Sequence, residues 1–178
     1  MLRIKFLGDC YYGVSGLPIK DKRHAKNCVD LGLKMISDIR ELRAARKINI
    51  DMRIGVHSGT IIGGVMGSCK WQYDIWSNDV VIANKIESTG VTGYYWRRWF
   101  FSVSHLFENF ISLLWRRKVH VTSQTLELLN GEYEFESGTE NARNDPFLIR
   151  NNIRTYLILP KISDSVNSHW VLFVSWWW

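Results

Sequence analysis

An α/β fold, with an antiparallel or mixed sheet covered by helices, is the class this sequence predicts, and three stretches predict it. Residues 3–16, RIKFLGDCYYGVSG, read as two short strands around a turn. Residues 21–47 carry apolar side chains at helical spacing, and residues 50–57 alternate with the period of a strand. Hairpin, helix and strand in close succession give a sheet with a helix laid over it.

The hairpin comes first. Residues 4–7 and 10–14 are rich in β-branched and aromatic types, and Gly8-Asp9 between them fits a two-residue type II′ turn. Asp9 is thereby held at the end of a sheet. A carboxylate fixed there can bind a hard cation such as Mg²⁺, which takes oxygen ligands and usually combines one or two protein carboxylates with substrate phosphate. Gly-Asp is also an ordinary hairpin turn, and the local pattern alone favours that plainer reading.

Over residues 21–47, Ala25, Cys28, Val29, Gly32, Met35, Ile36, Ile39 and Leu42 recur at three- and four-residue steps, with Lys and Arg filling the remaining positions. Asp21 is the expected N-cap, and the basic last turn suits the negative end of the helix dipole. In residues 50–57, Ile50, Met52, Ile54 and Val56 point one way while Asp51, Arg53, Gly55 and His57 point the other. Arg53 then projects from a sheet, where a guanidinium can form two directed hydrogen bonds to phosphate oxygens. Without other information it reads as a surface arginine. His57 reads as a structural histidine.

Residues 58–67 hold Gly59, Gly63, Gly64 and Gly67 and are expected to form turns. They do not match the phosphate loop of the P-loop nucleotide-binding proteins. A strand over 71–76, a helix over 78–88, a strand over 119–122, a short helix over 126–129, and strands over 133–136 and 155–159 complete the expected order.

Composition narrows the function classes. With 46% hydrophobic residues the chain is globular, and 23 Lys and Arg against 17 Asp and Glu suit a polyphosphate ligand, an acidic partner or an anionic membrane surface. No nucleic-acid module accompanies this charge, so no nucleic-acid partner is expected. Cys10, Cys28 and Cys69 lack metal-site spacing and read as reduced thiols of a cytosolic domain. The chain begins in a strand, without the charged and apolar segments of a signal peptide, which fits the same side of the membrane.

Three motifs in order, RIKFLGDCYYGVSGLP, MRIGVHSG and KWQYDIWSNDVVIAN, resemble the first cytoplasmic catalytic half of the animal membrane adenylyl cyclases, which are class III nucleotide cyclases. The resemblance covers about 3–93 and 118–160. It implies a ferredoxin-like α+β sandwich and conversion of ATP to cyclic AMP and pyrophosphate, with two Mg²⁺ (or Mn²⁺) ions in the complete site. Asp9 matches the second of two metal carboxylates, Leu7 and Gly8 the backbone beside it, and Arg53 the phosphate-contacting arginine. The first metal carboxylate belongs to a strand and turn that would precede Met1.

The same resemblance implies a second catalytic half as partner, because that half supplies a transition-state asparagine and arginine where this chain has Val81 and Lys85. Lys5 and Asp74 match adenine-reading positions of the second half, which in a first half line a related noncatalytic pocket. Tyr12 and Trp76 resemble residues around the site for a plant diterpene, and equally suit an aromatic core. G-protein subunits as regulators and the cytosolic face of the plasma membrane are implied for the parent protein, while the segment itself is expected in the cytosol. Two rivals stay open: a noncatalytic module that pairs with a cyclase half, and a guanylyl cyclase, against which SGLP and KWQYDIWSND weigh.

Two segments depart from this pattern. Residues 94–117, YYWRRWFFSVSHLFENFISLLWRR, interrupt the domain expected over 1–160, and read best as sequence foreign to it, such as an unspliced intron. Phe100, Val103, Phe107, Phe110 and Leu114 have helical spacing between Arg-rich ends, which also fits a membrane interface or a grooved partner. The tail, 161–178, ends in three tryptophans and would expose an aggregation-prone patch unless buried.

Overall fold

The computed structural model describes residues 1–91 and 118–160. The helical spacing seen within 94–117 and the Trp-rich tail lie outside the described residues.

The hairpin forms as its composition predicts. Strands β1 (Leu2–Leu7) and β2 (Cys10–Val14) pair antiparallel with Leu7 opposite Cys10. Gly8 turns the chain at φ +61°, a backbone that favours glycine, while Asp9 stays at negative φ as a II′ turn requires. Helix α1 (His24–Arg46) follows. Asp21 does not cap it: the Asp21 carboxylate accepts from the backbone N–H of Arg23 and from Nδ2 of Asn27, forming a turn three residues ahead of the helix. The helix ends at Lys47 with φ 53°, and Arg43 and Arg46 sit in its last turn.

The alternating run around Arg53 makes a much shorter strand than its pattern predicts, β3 (Gly55–Val56). Ile50 and Met52 are buried as the alternation requires, but ladder hydrogen bonds need a partner strand, and β3 meets one only along β6 (Val119–Thr122), in parallel. Burial pattern and ladder are separate properties of a strand. The glycine-rich stretch expected as turns contains β4 (Ile62–Met66), which pairs antiparallel with β5 (Gln72–Trp76).

Helix α2 (Asn78–Ser88) starts where Ser77 caps the N–H of Val80. After β6 come α3 (Ser123–Leu128), β7 (Phe135–Ser137), α4 (Glu140–Arg143), α5 (Pro146–Arg150) and β8 (Thr155–Ile158). Thr122, Thr139 and Asp145 cap the three short helices with their side-chain oxygens.

Among the described residues the strands form three hydrogen-bonded sheets: β1-β2, β3-β6-β8-β7 and β4-β5. Parallel and antiparallel pairings coexist in the second, and the fold is α+β as expected. One face of α1, with Ala25, Val29, Ile36 and Ile39, packs on Val119, Val121 and Ile158. Val29, Val119, Val121 and Ile158 are fully buried, each such side chain being worth roughly 1.5–3 kcal/mol. A smaller core joins Ile82 and Ile86 of α2 to Ala142 and Leu148. These two cores fix α1, α2 and β3, and Arg53 stands two residues ahead of β3. Among the described residues no helix is long and apolar enough to cross a membrane.

Candidate active site

Arg53 precedes β3 and is held from α2. Its Nε donates to Oε1 of Glu87 at 3.0 Å, and both side chains remain about a quarter to a third exposed. The backbone of Glu87 packs so closely on Gly55 that a Cβ there would overlap it. Strand and helix therefore bring the carboxylate to the guanidinium across 34 residues of sequence.

Asp9 stands at the turn of the β1–β2 hairpin, half-buried, beside an exposed Leu7 and Gly8. The next residue reports what surrounds it. Burial pushes the Cys10 thiol above its ordinary range, the negative charges of Glu87 and Asp9 push it further, and Arg53 pulls it back. Cys10, Arg53 and Glu87 line one cavity, and Asp9 directly precedes Cys10 at the hairpin turn.

The donor set bears on metal binding. Asp9 offers carboxylate oxygen, the donor that Mg²⁺ and Mn²⁺ prefer. Among the described residues no group of three or more His, Cys, Asp or Glu could hold an ion unaided. The residues present therefore fit an ion whose remaining ligands come with a phosphate-bearing substrate or from another chain.

A second group forms where β1 meets β5. Lys5 lies opposite Tyr12 in the β1–β2 register, and its Nζ binds Oδ2 of Asp74 on β5 at 2.5 Å. That hydrogen bond is the main reason the Asp74 carboxyl sits below its usual range. Burial, then the charge of Asp74, pushes the Tyr12 phenol up to about 12. Trp76 lies two residues along β5, on the face that carries Asp74, and stays 43% exposed. Lys5, Tyr12 and Asp74 are thus assembled together, with Trp76 at their edge.

Two site-building residues had no signal of their own in the sequence. Glu87 is one. The other is Asp79, in the first turn of α2, which accepts from Nε2 of His57 at 3.1 Å and from the N–H of Thr60 at 2.7 Å. Nδ1 of His57 lies 2.9 Å from the Thr122 hydroxyl. Carboxylate, imidazole and hydroxyl stand in a row, but Thr122 is fully buried and no substrate reaches it. The row fastens α2 to β6, and His57 is structural as its sequence context predicts. Lys85 is bound to Asp145 at 3.4 Å, and Val81 is 45% exposed.

Comparison with known proteins agrees with this fold. The family described as "Adenylate and Guanylate cyclase catalytic domain" matches residues 1–94. "Adenylyl cyclase X E" of Drosophila melanogaster is 45% identical over 157 residues, which are 88% of this chain and 12% of that protein. "Adenylate cyclase type 9" of Gallus gallus is 34% identical over 159 residues, 88% of this chain and 10% of the relative. The chain therefore spans about a tenth of the length of the curated relatives it matches. The crystal structure of the adenylyl cyclase CyaB from P. aeruginosa superposes with a TM-score of 0.63 at 18% identity, covering 93% of this chain and 74% of that one, which shows the shared fold. By the family match, the relatives and the fold together, this chain belongs to the adenylate and guanylate cyclase catalytic domain family.

Proposed function

We propose that this chain is one catalytic half of an adenylyl cyclase, in which ATP is converted to cyclic AMP and pyrophosphate once a second catalytic half completes the site. The observation that carries this reading is the Arg53–Glu87 pair at 3.0 Å, which lines one cavity with Cys10, the residue that follows Asp9. A hairpin-tip carboxylate and a helix-anchored guanidinium are groups suited to a metal-bound polyphosphate.

Asp9 would hold Mg²⁺ or Mn²⁺ together with substrate phosphate. When bound, the ions neutralise phosphate charge and acidify the attacking ribose hydroxyl. Arg53, set in direction by Glu87, binds phosphate oxygens and stabilises the charge that accumulates on the leaving pyrophosphate. Leu7 and Gly8 supply the backbone against which the nucleotide rests. Val81 and Lys85 do not provide an asparagine–arginine pair, and Lys85 is engaged with Asp145, so the partner half supplies the groups that contact the transition state. Lys5, Asp74, Tyr12 and Trp76 form a noncatalytic group, of which Tyr12 also lines the cavity that Arg53 lines.

The catalytic domain runs over 1–160 and is interrupted by 94–117. The parent protein lies at the cytosolic face of the plasma membrane under the control of G-protein subunits. The test is turnover by the purified chain with ATP and Mg²⁺: no cyclic AMP above background is expected, and robust turnover by the chain alone would contradict the need for a partner half.

A further inference from the structure

A further cavity lies at the opposite edge of the four-stranded sheet from Arg53. The strand order is β3-β6-β8-β7, so β7 is the strand farthest from β3, three strand spacings away, or ~14 Å at ~4.8 Å each. Where β7 and β8 meet α4 and α5, Ser137, Ala142, Arg143, Ile149, Arg154 and Thr155 line a cavity of about 300 Å³. It shares no lining residue with the cavity that Arg53 lines. That volume is at the small end of the range for ligand sites.

Separate elements hold the two arginines. Arg143 ends α4, which is anchored at its start by Thr139: that hydroxyl accepts from the N–H of Ala142 and donates to the carbonyl of Thr89. Arg154 follows the turn that closes α5, where Asn152 adopts φ 53° and the N–H of Ile153 donates to the carbonyl of Leu148 at 2.9 Å. The carbonyl of Arg154 in turn accepts from the N–H of Ser123 at 2.9 Å. Both backbones are thereby fixed beside one cavity.

Charge sets what the cavity takes. Among the described residues neither guanidinium has a carboxylate partner, whereas Lys5, Arg53, Lys85 and Lys118 each have one. No Asp or Glu lines the cavity. Glu136 is bound to Lys118, Asp145 binds Lys85 and caps α5, and Glu140 forms no ion pair with Arg143 of its own helix among the described residues. Two like charges at one small cavity repel each other until an anion enters, and each guanidinium offers paired donors that match phosphate oxygens. Ser137 and Thr155 add hydroxyls. A phosphate monoester carries close to two negative charges at neutral pH, which balances the two arginines where a carboxylate would balance one. Ala142 and Ile149 give its carbon side an apolar wall. We propose that this cavity binds a small organic phosphate monoester, at a site separate from the one proposed for ATP.

Calorimetric titration of the full chain with phenyl phosphate in the presence of EDTA, with methyl NMR of Ala142 and Ile149, tests this. Saturable binding that shifts those methyls is expected. Affinity should fall at least about tenfold when Arg143→Gln and Arg154→Gln are combined, and should be unchanged in Arg53→Ala. Both arginines are exposed, so circular dichroism of the double variant should match that of the unsubstituted chain, and the paired Arg→Lys substitutions, which keep the charge, should recover part of the affinity. Equal affinity in the unsubstituted chain and the double Gln variant would overturn the proposal. Loss of binding in Arg53→Ala instead would assign the ligand to the nucleotide site, and inorganic phosphate binding as tightly as phenyl phosphate would leave only a general anion site; either result overturns it as well.

Discussion

The carboxylate of Glu87 accepts a hydrogen bond from Nε of Arg53 at 3.0 Å, so the phosphate-binding candidate just ahead of β3 is tied to α2. Removing that partner takes away the hydrogen bond that α2 gives the guanidinium. Glu87→Ala is expected to cost only ~1 kcal/mol of stability, because both side chains are partly exposed. A comparable loss in phosphate binding corresponds to roughly fivefold weaker nucleotide affinity. Urea unfolding and nucleotide titration of the same variant separate the two effects, and unchanged affinity would place Glu87 outside the site.

Gly55 lies where β3 and α2 touch. A methyl group there would meet the backbone of Glu87 and Ile86, and backbone gives way far less readily than a side-chain tip. Gly55→Ala is expected to cost ~2–3 kcal/mol and to displace Glu87 from Arg53 as well. A midpoint in urea equal to that of the unsubstituted chain would show that the helix shifts freely.

The His57–Asp79 pair predicts a different pattern. Asp79→Ala orphans a ring nitrogen whose side chain is 2% exposed and also frees the N–H of Thr60, a loss of ~2 kcal/mol. Asp79→Asn keeps an acceptor oxygen for one of the two donors and should recover part of it. Equal destabilisation by the two substitutions would mean that charge, rather than hydrogen bonding, holds the row together.

His120 gives the chain an acid-sensitive core. Burial holds its imidazole below the ordinary pKa, while Nδ1 donates to the carbonyl of Ile86 at 2.7 Å and Nε2 is buried without a partner. The unfolded chain therefore binds this proton more readily than the folded one. The contribution is fully present above ~6.5 and is lost as pH falls toward the folded value, at up to ~1.4 kcal/mol per pH unit. Unfolding free energies at pH 8, 6.5 and 5 check this, and His120→Gln should flatten the slope over that interval.

Periodicity made the hairpin, α1 and α2 legible, since each buries one face and its apolar residues keep the matching spacing. It overstated β3, because Ile50 and Met52 are buried without a ladder to make them a strand. β4 was hidden by Gly63 and Gly64, which resemble a turn until Tyr73 and Ile75 are set opposite them on β5. Two short helices were missed, though Asp145 before Pro146 carried an N-terminal signal. For the site, Asp9 and Arg53 stood out through their motifs. Glu87 and Asp79 did not, because what selects them is contact between α2 and residues 22 to 34 positions earlier. No local pattern records such a distance.

The most direct measurement is Mn²⁺-dependent binding of a fluorescent ATP analogue to this chain mixed with a second catalytic half, repeated with Asp9→Asn and Arg53→Ala. The account predicts binding that requires the metal and falls by about tenfold or more in each variant, a loss of ~1.4 kcal/mol or more, while circular dichroism stays unchanged. Binding that is independent of Mn²⁺ and equal in all three proteins would contradict it.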